Sequence, residues 1–327
     1  MLSKQTCRAL AVAALAPCFA AAAGAATEAL APGIQLLEGR HYDEARSFFE
    51  LFATRHPQDA EAAYLLGKTC LFQRQYGRAT EWLERATALA PRRADGYFWL
   101  ARTYAQTAKQ ASFLRKPGLM RKAKAAWDQA VALDANSLEA RADLVEYYLQ
   151  APGFMGGSVD KAREQAAEIQ RRDAVAGALA YATIARNRQD LVGTEQKLED
   201  AIRRAPADPR PRLALGALYQ DEQKWDSAFD AFEAVIQAKP DDGDALYQIG
   251  KTGALSGRRL ERAEECLKRY LGYSPGFDSP PLANAHLRLG TVYGRRGNKT
   301  AARSEYQSAL KLDPELREAR EALGKLE

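Results

Sequence analysis

Residues 209–242 read PRPRLALGALYQDEQKWDSAFDAFEAVIQAKPDD. The stretch holds two amphipathic segments joined by a short polar turn. Gly216, after Leu215, leaves room for a second backbone to approach closely. Ala228 does the same on the second segment. Tyr219, Trp225 and Phe232 supply the bulk that fills the space between them. Pro240 ends the second segment, because it cannot donate to a helical ladder. Pro206 precedes Pro240 by 34 residues. The reading is a helix, a turn and a second helix packed back on the first, with the same unit ready to begin again.

The unit recurs. Residues 60–93 carry Ala63, Leu66-Gly67, Cys70, Tyr76, Ala79, Leu83, Ala86 and Pro91 in the same order, and Pro57 to Pro91 again spans 34 residues. Residues 283–316 carry Leu289-Gly290, Tyr293, Gly297, Ala302, Tyr306, Ala309 and Pro314. Looser copies have Tyr42, Ala45, Phe49 and Pro57; Leu100-Ala101, Tyr104, Ala123, Trp127 and Ala130; Leu144, Tyr148 and Ala162; Tyr181-Ala182, Leu198, Ala201 and Pro206; and Ile249-Gly250, Ala263, Leu267 and Pro275. Period and positions together resemble the tetratricopeptide repeat. The repeats fall at approximately 27–59, 60–93, 94–137, 138–174, 175–208, 209–242, 243–282 and 283–316, about eight in all, and residues 317–327 read as a helix capping the last apolar face.

The resemblance implies an all-α fold, a right-handed superhelical solenoid of helix-turn-helix repeats. It also implies that the first helix of each repeat lines a concave groove that grips a peptide or partner protein. On that reading the groove residues are Tyr64, Lys68, Phe72, Phe98, Arg102, Glu146, Arg186, Asn187, Tyr247, Lys251 and Arg295. Aromatic rings beside Lys and Arg suit an extended peptide with an acidic side chain or a terminal carboxylate. The Lys/Asn clamp of some chaperone-binding members is not recognisable here. The expected function is a non-catalytic interaction scaffold or adaptor. The alternative is a small-ligand or lipid carrier associated with solute uptake.

Residues 1–26 read as a signal peptide. Lys4 and Arg8 form a positive start, Ala9 to Ala23 an apolar run too short to span a bilayer, and Ala23-Gly24-Ala25 a small-residue cleavage site. A soluble, exported, periplasmic protein is expected. Leu15-Ala16-Pro17-Cys18 approaches a lipobox, with Pro17 a poor fit beside the Cys. The formal net charge is +5, of which Lys4 and Arg8 contribute two; that balance points away from nucleic acid. Beyond the leader only Cys70 and Cys266 remain, far apart in sequence and without metal-type spacing. They read as two semi-buried helical thiols.

Two repeats carry insertions at their internal turn. Segment 106–124 contains Lys109, Arg115, Lys116, Arg121, Lys122 and Lys124 among Phe113, Leu114, Leu119 and Met120, and no acidic residue lies between Gly96 and Trp127. Basic-plus-apolar patterning suits a peripheral membrane or acidic-partner contact; the alternative is a solvated pair of longer helices. In the next repeat APGFMGGS (151–158) places Phe154 and Met155 at a turn whose Pro152, Gly153, Gly156 and Gly157 already serve for turning, with Ser158 as N-cap of the helix that follows. Equivalent turns of stacked repeats share an edge, so the two segments should be neighbours.

Enzyme signatures fail on context. Ser158-Val-Asp-Lys161 and Lys251-Thr-Gly253 imitate penicillin-recognising motifs, but the second requires a strand and falls in a helix. His41, His56 and His286 are the only histidines, and they are dispersed. No phosphate loop or zinc-protease helix is present. No cofactor or metal is expected.

Overall fold

The computed structural model describes residues 28–273, 275–276 and 278–326. The signal peptide expected at 1–26, with its cleavage site and Cys18, lies outside the described residues. The chain divides into two compact units, residues 1–137 and 138–327. No strand occurs among the described residues, and no described helix is long and apolar enough to cross a membrane.

The first unit holds α1 (28–38), α2 (Tyr42–Arg55), α3 (Ala60–Phe72), α4 (Tyr76–Leu89), α5 (Ala94–Gln110) and α6 (Lys116–Leu133). The second holds α7 (Leu138–Gln150), α8 (Val159–Arg172), α9 (Ala174–Asn187), α10 (Leu191–Arg204), α11 (Pro209–Asp221), α12 (Trp225–Ala238), α13 (Gly243–Ser256), α14 (Leu260–Leu271), α15 (Leu282–Arg295), α16 (Lys299–Leu312) and α17 (Arg317–Gly324). Within the units α3–α4, α5–α6, α7–α8 and so on to α15–α16 are tight hairpins. The first helix of each hairpin also packs on the first helix of the next: α3 on α5, and α7, α9, α11, α13 and α15 in succession. Within each unit these first helices therefore form a row on which a groove can be built.

Small residues set the spacing. A methyl group on Gly250 would come within 2.2 Å of Leu267 Cγ on the facing helix, so only glycine permits that approach. Proline and aspartate set the junctions between hairpins. Pro57, Pro206 and Pro240 each precede by two residues an aspartate that caps the next helix. Asp59 accepts from Ala62 N at 2.9 Å, Asp208 from Arg210 N at 2.9 Å and Asp242 from Ala245 N at 3.1 Å. Each satisfies one of the donors that a helix start leaves unpaired.

The ordinary internal turns share one geometry. Arg74, Gln189, Gln223 and Gly297 take positive φ. Each is the left-handed step by which the chain leaves the first helix of its hairpin. The next amide then closes back on a helix carbonyl: Gln75 N to Cys70 O at 2.8 Å, Asp190 N to Ala185 O at 2.9 Å, Lys224 N to Tyr219 O at 2.8 Å, and Asn298 N to Tyr293 O at 2.9 Å.

The two expanded turns differ from this pattern in different ways. In the first unit α5 continues to Gln110 and α6 begins at Lys116, so only residues 111–115 are irregular. Segment 106–124 is thus mostly helix, not loop, and Lys116 and Leu119 lie on α6. Its Ala and Lys residues favour helix, and Pro117 falls in the first turn of α6, where its missing N–H costs nothing. In the second unit α7 stops at Gln150, and Gly153–Met155 form one 3-10 turn. The closing bond survives there: Ser158 N donates to Tyr148 O at 2.9 Å. The extra residues bulge outward from an otherwise ordinary closure. A side chain on Gly157 would meet the Ala151 carbonyl, and Ser158 caps α8 by accepting from Lys161 N at 3.3 Å.

The core is apolar and well enclosed. Phe229, Phe232 and Tyr270 are fully buried in the second unit. At its end Ala319 of α17 packs with Leu287, Ala302, Tyr306 and Ala309, joined by Leu316, Leu323 and Leu326. Cys70 and Cys266 are free and fully buried, not semi-buried. Burial pushes the Cys266 thiol up to about 12 and raises Cys70 as well, so neither is a reactive thiolate at neutral pH.

Candidate functional site

In the first unit the anticipated groove residues of α3 and α5 come together around a residue not anticipated, Trp99. The Lys68 ammonium lies 5.0 Å from the centre of the Trp99 ring, 5.6 Å from Phe72 and 6.0 Å from Tyr64. Trp99 meets Phe72 edge-on at 5.3 Å and Phe98 at 5.1 Å. The Arg102 guanidinium stands 4.8 Å over Phe98 and 5.7 Å over Trp99. The result is an aromatic box holding two cations. On α3 and α5 the anticipated residues step by four, Tyr64-Lys68-Phe72 and Phe98-Arg102, and Trp99 falls one residue beside Phe98, outside that step.

A charged network braces the box. Arg93 stacks on Tyr64 at 3.8 Å. Arg93 also pairs with Glu61 and, at 2.7 Å, with Asp95. Burial opposes ionisation of Asp95, but the hydrogen bond and charge of Arg93, with further hydrogen bonds from Tyr64 and the Gly96 amide, together outweigh it and hold the carboxyl below its usual range. Burial, chiefly, lowers the Lys68 pKa from its ordinary value, and Arg93 adds to the shift against the opposing pull of Asp95. Lys68 forms no ion pair among the described residues. It is a half-desolvated cation stabilised by ring faces.

In the second unit the corresponding residues adopt another arrangement. Lys251 donates to Gln220 Oε1 at 3.1 Å. Gln220 is buried and donates in turn to Thr252 Oγ1 at 2.6 Å and to the Gln248 carbonyl at 3.2 Å. Arg186 pairs with Asp221 nearby. Burial lowers the Lys251 pKa, with Arg288 as the next contributor. Tyr247 is buried, 5.3 Å from Tyr270, and Arg288 pairs with Glu318 at 3.0 Å. Asn187 is exposed at the end of α9. Arg295 does not join this group: it donates to the Leu255 carbonyl at 2.9 Å and ties α15 to the end of α13. Glu146 lies on the rim of a cleft of about 280 Å³ lined also by Leu138, Val145, Leu179 and Arg210.

The anticipated edge residues divide. Phe113, Leu114 and Phe154 are 86%, 87% and 89% exposed. Arg115 and Lys116 are exposed, and Leu119 is half-buried on α6. Met155 is half-buried, and its carbonyl accepts from the Tyr147 hydroxyl at 2.6 Å. Gly156 takes φ +93 and Gly157 follows in the bulge. Ser158 serves as the N-cap of α8. No cluster of His, Cys, Asp or Glu able to hold a metal occurs among the described residues.

The family model for the tetratricopeptide repeat matches residues 30–94, 213–276, 252–317 and 287–327, more than half of the chain. The chain is a tetratricopeptide-repeat protein. Its fold is that of a protein–protein interaction scaffold, and repeats of this family are typically non-catalytic. Cellulose synthase operon protein C of Pseudomonas fluorescens is 26% identical over 297 residues, 86% of this chain and 21% of that protein. Human protein O-mannosyl-transferase TMTC1 is 28% identical over 114 residues, 35% of this chain and 13% of that protein. The chain thus spans about a fifth or less of the length of these curated relatives. Among solved structures, yeast Tom70 superposes with a TM-score of 0.63 at 14% identity, over 87% of this chain and 58% of that one. A monomeric mutant of IFIT1 with Gppp-AAAA gives 0.55 at 14% identity, over 90% of this chain and 70% of that one. At such identities the likeness is one of tetratricopeptide fold.

Proposed function

We propose that the protein is a non-catalytic adaptor that takes an acidic, extended peptide segment of a partner on the first helices of its first unit, with the α3–α5 box as the anchoring site. One observation carries this reading: Lys68 is half-buried among three rings, its pKa lowered, with no carboxylate paired to it. A partly desolvated ammonium gains more from an incoming carboxylate than one in water does. Arg102, on the neighbouring ring faces, supplies a fork for the same group. The reading includes export to a bacterial periplasm, supported by the leader-like residues 1–26. The test is a peptide array of acidic sequences with free or amidated C-termini, probed with wild type and with Lys68→Met. Binding of acidic peptides that Lys68→Met removes is expected; equal binding by both proteins would refute the anchoring site.

A second reading, carriage of a small ligand, draws on the cleft beside Glu146. Its volume of about 280 Å³ approaches the lower end of ordinary ligand pockets, and its lining is mainly aliphatic. Native mass spectrometry of protein purified from its host separates the readings. A stoichiometric co-purified lipid or metabolite favours carriage.

A further inference from the structure

The α5–α6 tip differs from every ordinary turn of the molecule. The ordinary turns present polar residues, Gln73-Arg74 or Glu222-Gln223 for instance. This tip presents Phe113 and Leu114, both almost fully exposed. Around them Lys109, Arg115, Lys116 and Arg121 are exposed, and none has an ion-pair partner among the described residues. The remaining basic residues of the segment are engaged: Lys122 pairs with Glu84 at 3.4 Å and Lys124 with Asp128 at 2.6 Å. With no acidic residue between Gly96 and Trp127, and Asp95 at the far end of α5 paired with Arg93, nothing at the α5–α6 tip neutralises the four cations.

We propose that this tip is a membrane wedge, in which Phe113 and Leu114 enter the interfacial zone of an anionic bilayer while Lys109, Arg115, Lys116 and Arg121 meet the lipid phosphates. The inference goes beyond the peptide-groove reading and does not depend on it. Two features favour a bilayer over an acidic protein. The apolar surface is one pair of adjacent, almost fully exposed side chains at a hairpin tip, whereas a stable protein interface buries roughly 800 Å² on each side. The cations flank the apolar pair on both sides in sequence and are exposed with it, as is suited to a flat anionic surface that the pair penetrates. Each basic residue near such a surface strengthens binding about fivefold, so the set suffices for reversible attachment.

The exposed Phe154 supplies an internal control. Its turn, residues 151–157, contains no charged residue, so the same physics gives it no membrane affinity. The experiment is co-sedimentation of the full chain with vesicles of phosphatidylethanolamine and phosphatidylglycerol, and with neutral phosphatidylcholine vesicles. Wild type and Phe154→Ser should sediment with the anionic vesicles and not with the neutral ones. Phe113→Ser with Leu114→Ser should weaken sedimentation at least tenfold, and Arg115→Glu with Lys116→Glu should do the same. As a second readout, the tryptophan of Leu114→Trp should be quenched by bromine-labelled anionic lipid beyond the quenching of the native tryptophans. Failure to sediment with anionic vesicles, equal sedimentation with neutral ones, or binding untouched by the Phe113 and Leu114 changes would each overturn the wedge. So would capture of an acidic protein through the same residues without any vesicle binding.

Discussion

The same five-residue pattern occurs once in each unit: Tyr64-Leu-Leu-Gly-Lys68 on α3 and Tyr247-Gln-Ile-Gly-Lys251 on α13. Both tyrosines are buried and both lysines half-buried. Both glycines admit a leucine from the second helix of their own hairpin, Leu83 for Gly67 and Leu267 for Gly250. The chemistry around the lysines nonetheless differs. Lys68 faces Trp99 from α5, a ring, while Lys251 faces Gln220 from α11, an amide whose oxygen it already uses. Within a hairpin the pattern dictates packing. The character of the groove is decided by what the first helix of the adjoining hairpin brings.

The shared part of the comparison gives the largest expected effect. Gly250→Leu and Gly67→Leu should both overpack their hairpins, costing about 1–3 kcal/mol or more and lowering the melting temperature by several degrees in each case. Thermal denaturation followed by circular dichroism checks this. Unchanged melting in either variant would mean that the close approach is not required.

The part that differs gives the next effect. Lys68→Ala with Arg102→Ala should weaken acidic-peptide binding at least tenfold, since hydrogen bonds to charged groups contribute about 1.5–3 kcal/mol each. Lys251→Ala should weaken it far less, because Lys251 already has Gln220 as a partner. Titration calorimetry of one peptide against both variants decides whether the two lysines are equivalent.

Proton linkage sharpens the same contrast. The Lys68 pKa lies below the ordinary 10.5 in the folded chain, and binding requires the ammonium. Affinity should therefore hold near neutral pH and fall as pH rises through that depressed value, before an ordinary lysine would titrate. For stability the sign is opposite: the unfolded chain keeps the proton to higher pH, so stability rises with pH over that window. Lys68→Met should accordingly leave melting unchanged or slightly raised while removing binding. A marked loss of stability would show Lys68 to be a packing residue.

Much of this was legible in sequence, for a physical reason. Spacing by Gly, Ala, aromatic and Pro residues encodes contacts inside a hairpin, and those contacts lie at fixed sequence separations. The prolines of the Pro-x-Asp junctions, Pro57 among them, were readable as helix stops, while the aspartate caps that follow, Asp59 for instance, emerge only in the structure. Trp99 was not readable, because its importance arises from α3 rather than from its own helix. Nor was the engagement of Arg295, whose partner is the Leu255 carbonyl of another hairpin. Segment 106–124 follows the second of its two sequence readings, a pair of longer helices, because its alanines and lysines extend both helices and leave only residues 111–115 irregular. The expected proximity of that segment to residues 151–158 is tested by cross-linking.

The smallest expected effect concerns that second insertion. The turn is closed by Ser158 N on Tyr148 O and by the Tyr147 hydroxyl on the Met155 carbonyl, bonds that do not involve the exposed Phe154 side chain. Phe154→Ser should change stability by less than about 0.5 kcal/mol. A loss of about 3 kcal/mol, of the size found for a buried aromatic, would show instead that Phe154 packs against something in solution.

The most direct test of the central claim is a side-by-side affinity measurement. One acidic peptide with a free C-terminus is titrated into wild type, Lys68→Met and Lys251→Met under identical conditions. The α3–α5 box predicts loss of binding for Lys68→Met and near wild-type affinity for Lys251→Met. Equal affinity in all three proteins, or a loss confined to Lys251→Met, would contradict it.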